Sequence, residues 1–341
     1  MNTEIIKVTE ENLNEAARKA AKLLLAGELV GLPTETVYGL AANAYNLEAV
    51  KKIFRVKGRP IDNPLIVHVC DFVMLREIAE ITASATEMAK AFWPGPLTMV
   101  LKKTGNISPM VTCNLPTVAV RMPSHFVARA VIEAADLPLA APSANRSGLP
   151  STISAQHVLD DLSGSIPLVL DGGSSEIGVE STVVSMLEEN PVILRPGIIS
   201  LGMIKEVFPG ASYSKTMQSE AAKDVQVESP GMKYKHYSPR ADVILVKSSL
   251  KQFSDYVSER AGDGVYAMCF DGEQESIAIP SISYGKKGDG VSQANRLFMV
   301  MRMMDKLGVV RIFVRCPDET DESMAVMNRL LRASGFNMVV L

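Results

Sequence analysis

Lys57-Gly58-Arg59-Pro60-Ile61-Asp62-Asn63-Pro64-Leu65-Ile66-Val67-His68 sets two fixed cations, a carboxamide and an imidazole into twelve residues. Gly58, Pro60 and Pro64 forbid a helix or long strand across them, whereas Leu65-Ile66-Val67 reads as a buried strand. Lys57 and Arg59 on a loop that feeds such a strand suit a polyphosphate, one as a point charge and the other as a planar fork of donors. A solvated basic turn fits the same residues equally well. The surrounding chain has to decide.

A helix over 47–56 leads into this loop. Upstream, Leu13, Ala16, Ala17, Ala20, Leu23 and Leu24 follow helical spacing, with Thr9 as the expected cap and Gly27 as the stop. Leu29–Leu32 reads as a short buried strand and Pro33–Gly39 as a polar turn. Downstream, helices fit 71–80 and 84–92, and Trp93-Pro94-Gly95-Pro96 must turn. Strands fit 97–102, 118–122 and 139–141, with a helix near 125–135. A helix at 154–162 and strands at 167–171, 181–186 and 192–195 complete one mixed α/β domain ending near Phe208.

From about 210 the composition turns to Ser, Lys, Gln and Glu, as in an exposed linker. It ends in Ser229-Pro230-Gly231-Met232-Lys233-Tyr234-Lys235-His236-Tyr237-Ser238-Pro239-Arg240, which carries more recognition groups than a passive tether needs. From Ala241 strand and helix alternate: strands at 243–246, 265–269, 311–315 and 337–340, and helices at 248–260, 290–307 (capped by Asp289) and 320–333. This predicts a small parallel sheet wrapped by helices, a Rossmann-like arrangement. It has no G-x-G-x-x-G after its first strand, so nucleotide binding there is not supported. Met299, Met303, Met304 and Leu307 are expected in its core.

The chain has 341 residues, 47% hydrophobic and 21% charged, enough for a substantial core in each of two domains. A net charge of −3 gives no global basic field, so phosphate binding must come from a local cluster. Cys70, Cys113, Cys269 and Cys316 are scattered, which points away from a disulfide framework or a zinc site and toward a reducing compartment. The first residues lack a signal-peptide pattern, and no uncharged run approaches the ~20 residues of a membrane span. The expectation is a cytoplasmic protein that needs no membrane.

Five polar clusters lie at strand ends beside Gly or Pro: Thr34, Glu35, Thr36 and Tyr38; the Lys57 loop; Thr117 with Arg121; Ser143, Asn145 and Ser151; and Glu180, Ser181 and Thr182 followed by Arg195. Such loops of an α/β sheet are where ligands gather, although turn capping accounts for any one serine. A G-x-S-x-G elbow, a P-loop and histidines at metal-ligand spacing are all missing. His125 and His157 are expected on helix surfaces. Lys, Arg, Asn, Ser and Thr without a nucleophile–base pair suit electrostatic work on phosphates.

Together these stretches resemble the YrdC-type threonylcarbamoyl-AMP synthases. Pro33–Ala44 (PTETVYGLAANA), Lys57–Val69 (KGRPIDNPLIVHV), Trp93–Leu101 (WPGPLTMVL), Val120–Pro123 (VRMP), Ala141–Ser147 (APSANRS), Glu180–Val184 (ESTVV) and Leu194–Gly197 (LRPG) look like successive blocks of that family. The match runs over 8–208, and PGMKYKHYSP plus a C-terminal domain resembles the longer branch. The resemblance implies a YrdC-like twisted mixed sheet over 8–208, a linker acting as a lid over 209–240, and a C-terminal Rossmann-like α/β domain over 241–341.

It implies a reaction as well: L-threonine, bicarbonate and ATP give L-threonylcarbamoyl-AMP and pyrophosphate, for threonylcarbamoyladenosine at position 37 of ANN-decoding tRNAs. By resemblance Lys57, Arg59, Ser143 and Asn145 are the catalytic set, acting with Mg²⁺ carried by no protein metal site. ATP would also meet Asn63, Thr117, Ser151, Arg195, Tyr234 and Tyr237. Threonine would meet Thr36, His68, Arg121, Ala141 (through its backbone) and Ser181, with Arg121 as the bidentate partner of the α-carboxylate. The expected partner is a downstream tRNA threonylcarbamoyl-transferase complex, with no stable nucleic-acid binding and a monomeric state.

Two other classes compete. An RNA-binding module is opposed by the acidic balance and the lack of stacking aromatics. A hydrogenase-maturation carbamoyltransferase is opposed by the isolated cysteines, which cannot form its zinc fingers. Because Lys57 and Arg59 are read on a loop without apolar burial, replacing either is expected to cut turnover far more than folding.

Overall fold

A computed structural model of the chain describes residues 2–105, 107–215 and 237–341. These fall into two compact units. The first holds the chain up to Ser147, Ser151–Glu176 and the chain from Glu180 to Lys215; Gly148–Pro150, Ile177–Val179 and the chain from Tyr237 on belong to the second.

The first unit opens with β1 (Glu4–Lys7), α1 (Leu13–Leu25), β2 (Val30–Leu32), β3 (Gly39–Asn43) and α2 (Leu47–Lys57). There follow β4 (Ile66–His68), α3 (Phe72–Ile78), α4 (Ala83–Phe92), β5 (Leu97–Lys102), α5 (Pro109–Thr112) and β6 (Thr117–Arg121). Next come α6 (Phe126–Ala135), β7 (Leu139–Ala140), α7 (Ala155–Leu162) and β8 (Leu168–Asp171). It closes with β9 (Thr182–Ser185), β10 (Val192–Arg195), α8 (Leu201–Val207) and β11 (Ser212–Tyr213). The strands form one mixed sheet in the order β1-β8-β2-β3-β7-β4-β6-β5-β9-β10-β11.

Register places the functional strands. Parallel pairing of β4 with β6 sets His68 opposite Arg121, and parallel pairing of β5 with β9 sets Leu97 opposite Thr182. Because side chains alternate along a strand, Thr117, Ala119 and Arg121 share one face of β6, as Ile66 and His68 share one of β4. Ile66, Val100, Ala119, Val183 and Leu194 form a small apolar cluster of their own, separate from the main core. That main core is lined by helices such as α1, which buries Ala16, Ala17, Ala20, Ala21 and Leu24 and packs on α6.

Several local expectations need correction. Thr9 does not cap α1; Asn12 precedes the helix, and its Oδ1 accepts from the Thr9 N–H at 2.8 Å. Pro33–Gly39 does turn, but Gly39–Asn43 beyond it is a strand, which small residues without β-branching conceal. Strand β1 begins before residue 8 and pairs with β8, while β11 adds an edge after residue 208, within the stretch read as linker. His125 and His157 are partly buried at helix starts rather than on open helix faces, and His125 Nδ1 accepts from the Val127 N–H.

The second unit contains β12 (Asp242–Lys247), α9 (Leu250–Ser258), β13 (Val265–Cys269), β14 (Ser281–Ser283), α10 (Gly290–Lys306), β15 (Arg311–Arg315), α11 (Met324–Ser334) and β16 (Met338–Val340). All its strand pairs are parallel, in the order β14-β13-β15-β12-β16. Asp289 caps α10 as expected, accepting from Ser292 N. Of the methionine stripe only Met304 is in the core; Met299, Met303 and Leu307 are exposed, because α10 buries a different face, that of Ala294, Leu297, Phe298 and Met301.

Candidate active site

The turn after β2 is built by Thr34. Its hydroxyl donates to the Val37 carbonyl at 2.6 Å and meets Thr36 Oγ1 at 2.9 Å. The turn is clamped on both sides: Tyr38 N donates to Thr152 O at 2.7 Å, and Ala144 N donates to Tyr38 O at 2.8 Å. Tyr38 is fully buried, and its hydroxyl donates to Gly173 O at 2.6 Å. Burial, and then Asp171, push that phenol above its usual range. Glu35 and Thr36 are thereby fixed inside the protein.

Arg121, at the end of β6, reaches this turn. Its Nη1 donates to Thr36 Oγ1 at 2.7 Å, its Nε to Gly95 O at 3.2 Å, and its Nη2 lies 2.6 Å from Glu35 Oε1. Both side chains of the pair are about 5% exposed or less. Burial pushes the Glu35 carboxyl up, and the adjacent guanidinium, together with the backbone N–H groups of Glu35 and Ser124, more than reverses this, holding it below the usual range. His68 lies beside the pair. Burial, and then the Arg121 charge, push its pKa down to about 3, so the imidazole is neutral at working pH.

That shift has a measurable sign. With the folded value below the ordinary 6.5, the unfolded chain binds more protons between the two, so stability falls as pH drops from 6.5 toward 3. The slope is at most about 1.4 kcal/mol per pH unit. Urea midpoints at pH 7.5, 6 and 5 should fall steadily, and His68→Gln should flatten that fall. An unchanged slope in the variant refutes the assignment.

Ser181 precedes β9, the strand that pairs with β5. Its hydroxyl meets Thr98 Oγ1 at 2.8 Å, while Arg195 forks onto it, Nη2 to Ser181 O at 2.9 Å and to Oγ at 3.2 Å. Gly197 makes this approach possible. A Cβ there would stand 2.3 Å from Thr182 N and 2.7 Å from Ser181 C, inside any real contact. Gly197→Ala should therefore cost about 1–3 kcal/mol of stability and weaken threonine binding through Ser181. Wild-type urea midpoint and threonine affinity in the variant would contradict this.

The second group centres on Lys57. It is the last residue of α2, which Gly58 ends in the left-handed region at φ 63°. The Lys57 side chain is buried, and its ammonium donates to Asn145 O at 2.6 Å and, by a shorter contact, to Ser143 O. Ser143 Oγ donates to Asn145 Oδ1 at 2.5 Å. Lys57 is thus neither on a loop nor free of burial, which overturns that part of the reading from sequence. Arg59 curls back on its own loop, with Nη2 donating to Pro64 O at 3.0 Å and to Asn63 O at 3.2 Å; Asn63 is fully buried.

Ser151 is fully buried, and its hydroxyl donates to Glu180 Oε1 by a short contact. Ala141 N donates to Ile66 O at 3.0 Å, which sets its backbone beside β4. Thr117, with Val100, Leu115, Pro116, Ser185, Leu187, Glu188 and Leu194, lines a cavity of about 260 Å³. Tyr237 is in the second unit, with its ring 5.5 Å from that of Phe298 and the Arg329 guanidinium over it at 5.4 Å. Tyr234 and the lid expected around it lie outside the described residues.

Thr36 and Arg121 therefore sit in one buried polar group with Glu35, with His68 opposite Arg121, while Ser181 is bonded to Thr98 and Arg195. Lys57, Ser143 and Asn145 sit in another, joined to the first through the Tyr38–Ala144 backbone bond. Glu35, Thr98 and Glu180, absent from the expected binding set, hold three of the expected residues in place. Their signal was their position inside or beside the quoted polar blocks.

The Sua5/YciO/YrdC family model, described as "Telomere recombination", matches residues 22–197. The model described as "Threonylcarbamoyl-AMP synthase, C-terminal domain" matches residues 199–335. The threonylcarbamoyl-AMP synthase of Pyrococcus abyssi is 43% identical, over 99% of this chain and 99% of that protein. That of Bacillus subtilis is 41% identical, over 94% and 93% respectively. The crystal structure of P. abyssi Sua5 complexed with L-threonine superposes at a TM-score of 0.92 with 41% identity, covering 99% of this chain and 100% of that one.

Proposed function

This chain belongs to the Sua5/YrdC family of threonylcarbamoyl-AMP synthases, in its two-domain form, and on that premise we propose that it condenses L-threonine, bicarbonate and ATP. The products are L-threonylcarbamoyl-AMP and pyrophosphate, and the adenylate serves threonylcarbamoyladenosine formation at position 37 of ANN-decoding tRNAs. One observation carries the reading: a buried guanidinium, Arg121, bonds Thr36 and stands opposite His68, and the turn that carries Thr36 is tied through Tyr38 O to the 143–145 turn that Lys57 holds. A small carboxylate with polar substituents fits the first group, and phosphates fit the second.

In this reading Arg121 takes the α-carboxylate of threonine, with Thr36, His68, Ser181 and the Ala141 backbone around the rest. Threonine's amine forms an N–C bond to bicarbonate carbon as a C–O bond breaks and water leaves, giving an N-carboxylate. One of its oxygens then bonds to the α-phosphorus of ATP as the bond to the β-phosphate oxygen breaks, and pyrophosphate leaves. The protein's work is to position the reactants and stabilise charge. Lys57 and Arg59 face the phosphates, with Ser143, Asn145, Asn63, Ser151 and Arg195 along the nucleotide and the Thr117 cavity for the base. We assign Tyr234 and, less directly, Tyr237 to closing over the nucleotide, so that water is kept from the mixed anhydride.

We place Mg²⁺ on the triphosphate, where phosphate oxygens and water are its ligands. Among the described residues no three His, Cys, Asp or Glu side chains group as a metal site, and no helix is long and apolar enough to cross a membrane. We further propose a cytoplasmic monomer that passes its product to a tRNA threonylcarbamoyl-transferase complex. Pyrophosphate release from ATP, with threonine and bicarbonate each omitted in turn, tests the reaction. Release that needs both is expected; release indifferent to threonine would overturn the reading.

A further inference from the structure

Arg121 and Ser181 belong to strands that are not neighbours, since β5 lies between β6 and β9. The turn that enters β5, Trp93–Thr98, bridges them. Gly95 N donates to Met122 O at 2.8 Å and Gly95 O accepts from Arg121 Nε at 3.2 Å, which fixes the turn to the end of β6. Pro96 O accepts from Thr182 N at 3.0 Å, which fixes it to the start of β9. Trp93 closes the turn on itself, its Nε1 donating to Leu97 O at 2.7 Å. Thr98 stands in the middle. Met99 pairs with Val120 across β5 and β6, so Thr98 and Arg121 follow one step on, and alternation puts their side chains on one face.

Thr98 is fully buried, and its hydroxyl meets Ser181 Oγ at 2.8 Å. A buried hydroxyl needs an acceptor for its proton, and Ser181 Oγ is the one it has among the described residues. Arg195 Nη2 donates to the same oxygen at 3.2 Å. Ser181 Oγ is thus held from two sides, and Thr98 ties it to the turn that also holds Arg121. We propose that Thr98 is a positioning residue for the substrate amino acid: it sets the Ser181 hydroxyl at a fixed place relative to the Arg121 guanidinium, so that one small ligand meets both. This rests on the reading of Arg121 and Ser181 as threonine-binding residues given above. Thr98 acts through Ser181, and its effect is selective for threonine. Arg195, on the nucleotide side, keeps its fork on the Ser181 carbonyl, and Lys57 holds the 143–145 turn independently of β5.

The test is steady-state pyrophosphate release by the full chain. Thr98→Val keeps the branched shape that suits a strand and removes the hydroxyl. The KM for threonine should rise about 10-fold, the loss of one well-placed hydrogen bond. The KM for ATP and kcat should stay within about twofold of wild type, because ground-state positioning of threonine alone is lost. Thr98→Ser restores the hydroxyl and should return the KM for threonine to near the wild-type value. Adding Thr98→Val to Ser181→Ala should cost nothing further, since the two residues act as a unit. An unchanged KM for threonine in Thr98→Val overturns the proposal. Equal increases for threonine and ATP overturn it too, as do additive losses in the double variant or a Thr98→Ser variant as impaired as Thr98→Val; each would make Thr98 a packing residue. Should Thr98→Val fail to fold, Thr98→Ala carries the same comparison with Thr98→Ser. Wild-type release that does not depend on threonine refutes the threonine reading, and the proposal with it.

Discussion

Arg121→Met should lower kcat/KM for threonine by more than about 100-fold, since a bidentate charge-assisted contact and its positioning are lost together. It should also lower the urea midpoint. The guanidinium is the counter-charge of Glu35, both side chains being about 5% exposed or less. Removing one partner of such a pair leaves a buried charge and costs about 3–5 kcal/mol. The two losses are separable. Adding Glu35→Gln to Arg121→Met removes the orphaned charge, so the double variant should regain most of the stability and none of the threonine-dependent turnover. A single variant that retains kcat/KM within tenfold of wild type would remove Arg121 from the site.

How much of this was legible beforehand follows from what a linear pattern encodes. The strand ending at His68, the α2 helix before it and the Gly58 stop are local, and periodicity and turn chemistry placed them within a residue or two. The expectation that Thr36, Arg121 and Ser181 share one site came through the quoted blocks. The turn holding Glu35 was recognised as polar, but its carboxylate is buried by an arginine 86 positions downstream, a pairing no periodicity carries. Arg195 stood out as a cation near a polar block; that it meets Ser181 depends on the pairing of β10 with β9, whose register shifts between Ile193 and Arg195, and no linear pattern carries that. Strand β3 was missed because Gly39-Leu40-Ala41-Ala42-Asn43 lacks the β-branched residues by which strands announce themselves. The Met299–Met303–Leu307 stripe misled for a related reason. Helical spacing says which residues share a face, not which face is covered.

The Lys57 loop gives the sharpest divergence from the reading by sequence, and two substitutions expose it. Lys57 and Arg59 are two residues apart, yet only Lys57 is fully inside the protein. Its ammonium satisfies the Ser143 and Asn145 carbonyls, 86 and 88 positions away, and so fixes the 143–145 turn to the end of α2. Lys57→Met keeps the aliphatic stem and removes the donors. Each buried carbonyl left unpaired costs about 1–3 kcal/mol, so a loss of about 2–6 kcal/mol is expected in urea unfolding. Turnover should fall by at least 100-fold, because Ser143 and Asn145 lose their position along with the charge. Arg59→Ala removes contacts made within its own loop, to Asn63 and Pro64. It should stay within about 1 kcal/mol of wild type, as is usual for a side chain that is not core, and still lose turnover by about 100-fold as a phosphate-facing charge. The contrast is the point of the experiment. Equal loss of stability in both variants would make the pair structural, and wild-type stability in Lys57→Met would mean that the buried ammonium does not hold the Ser143–Asn145 turn.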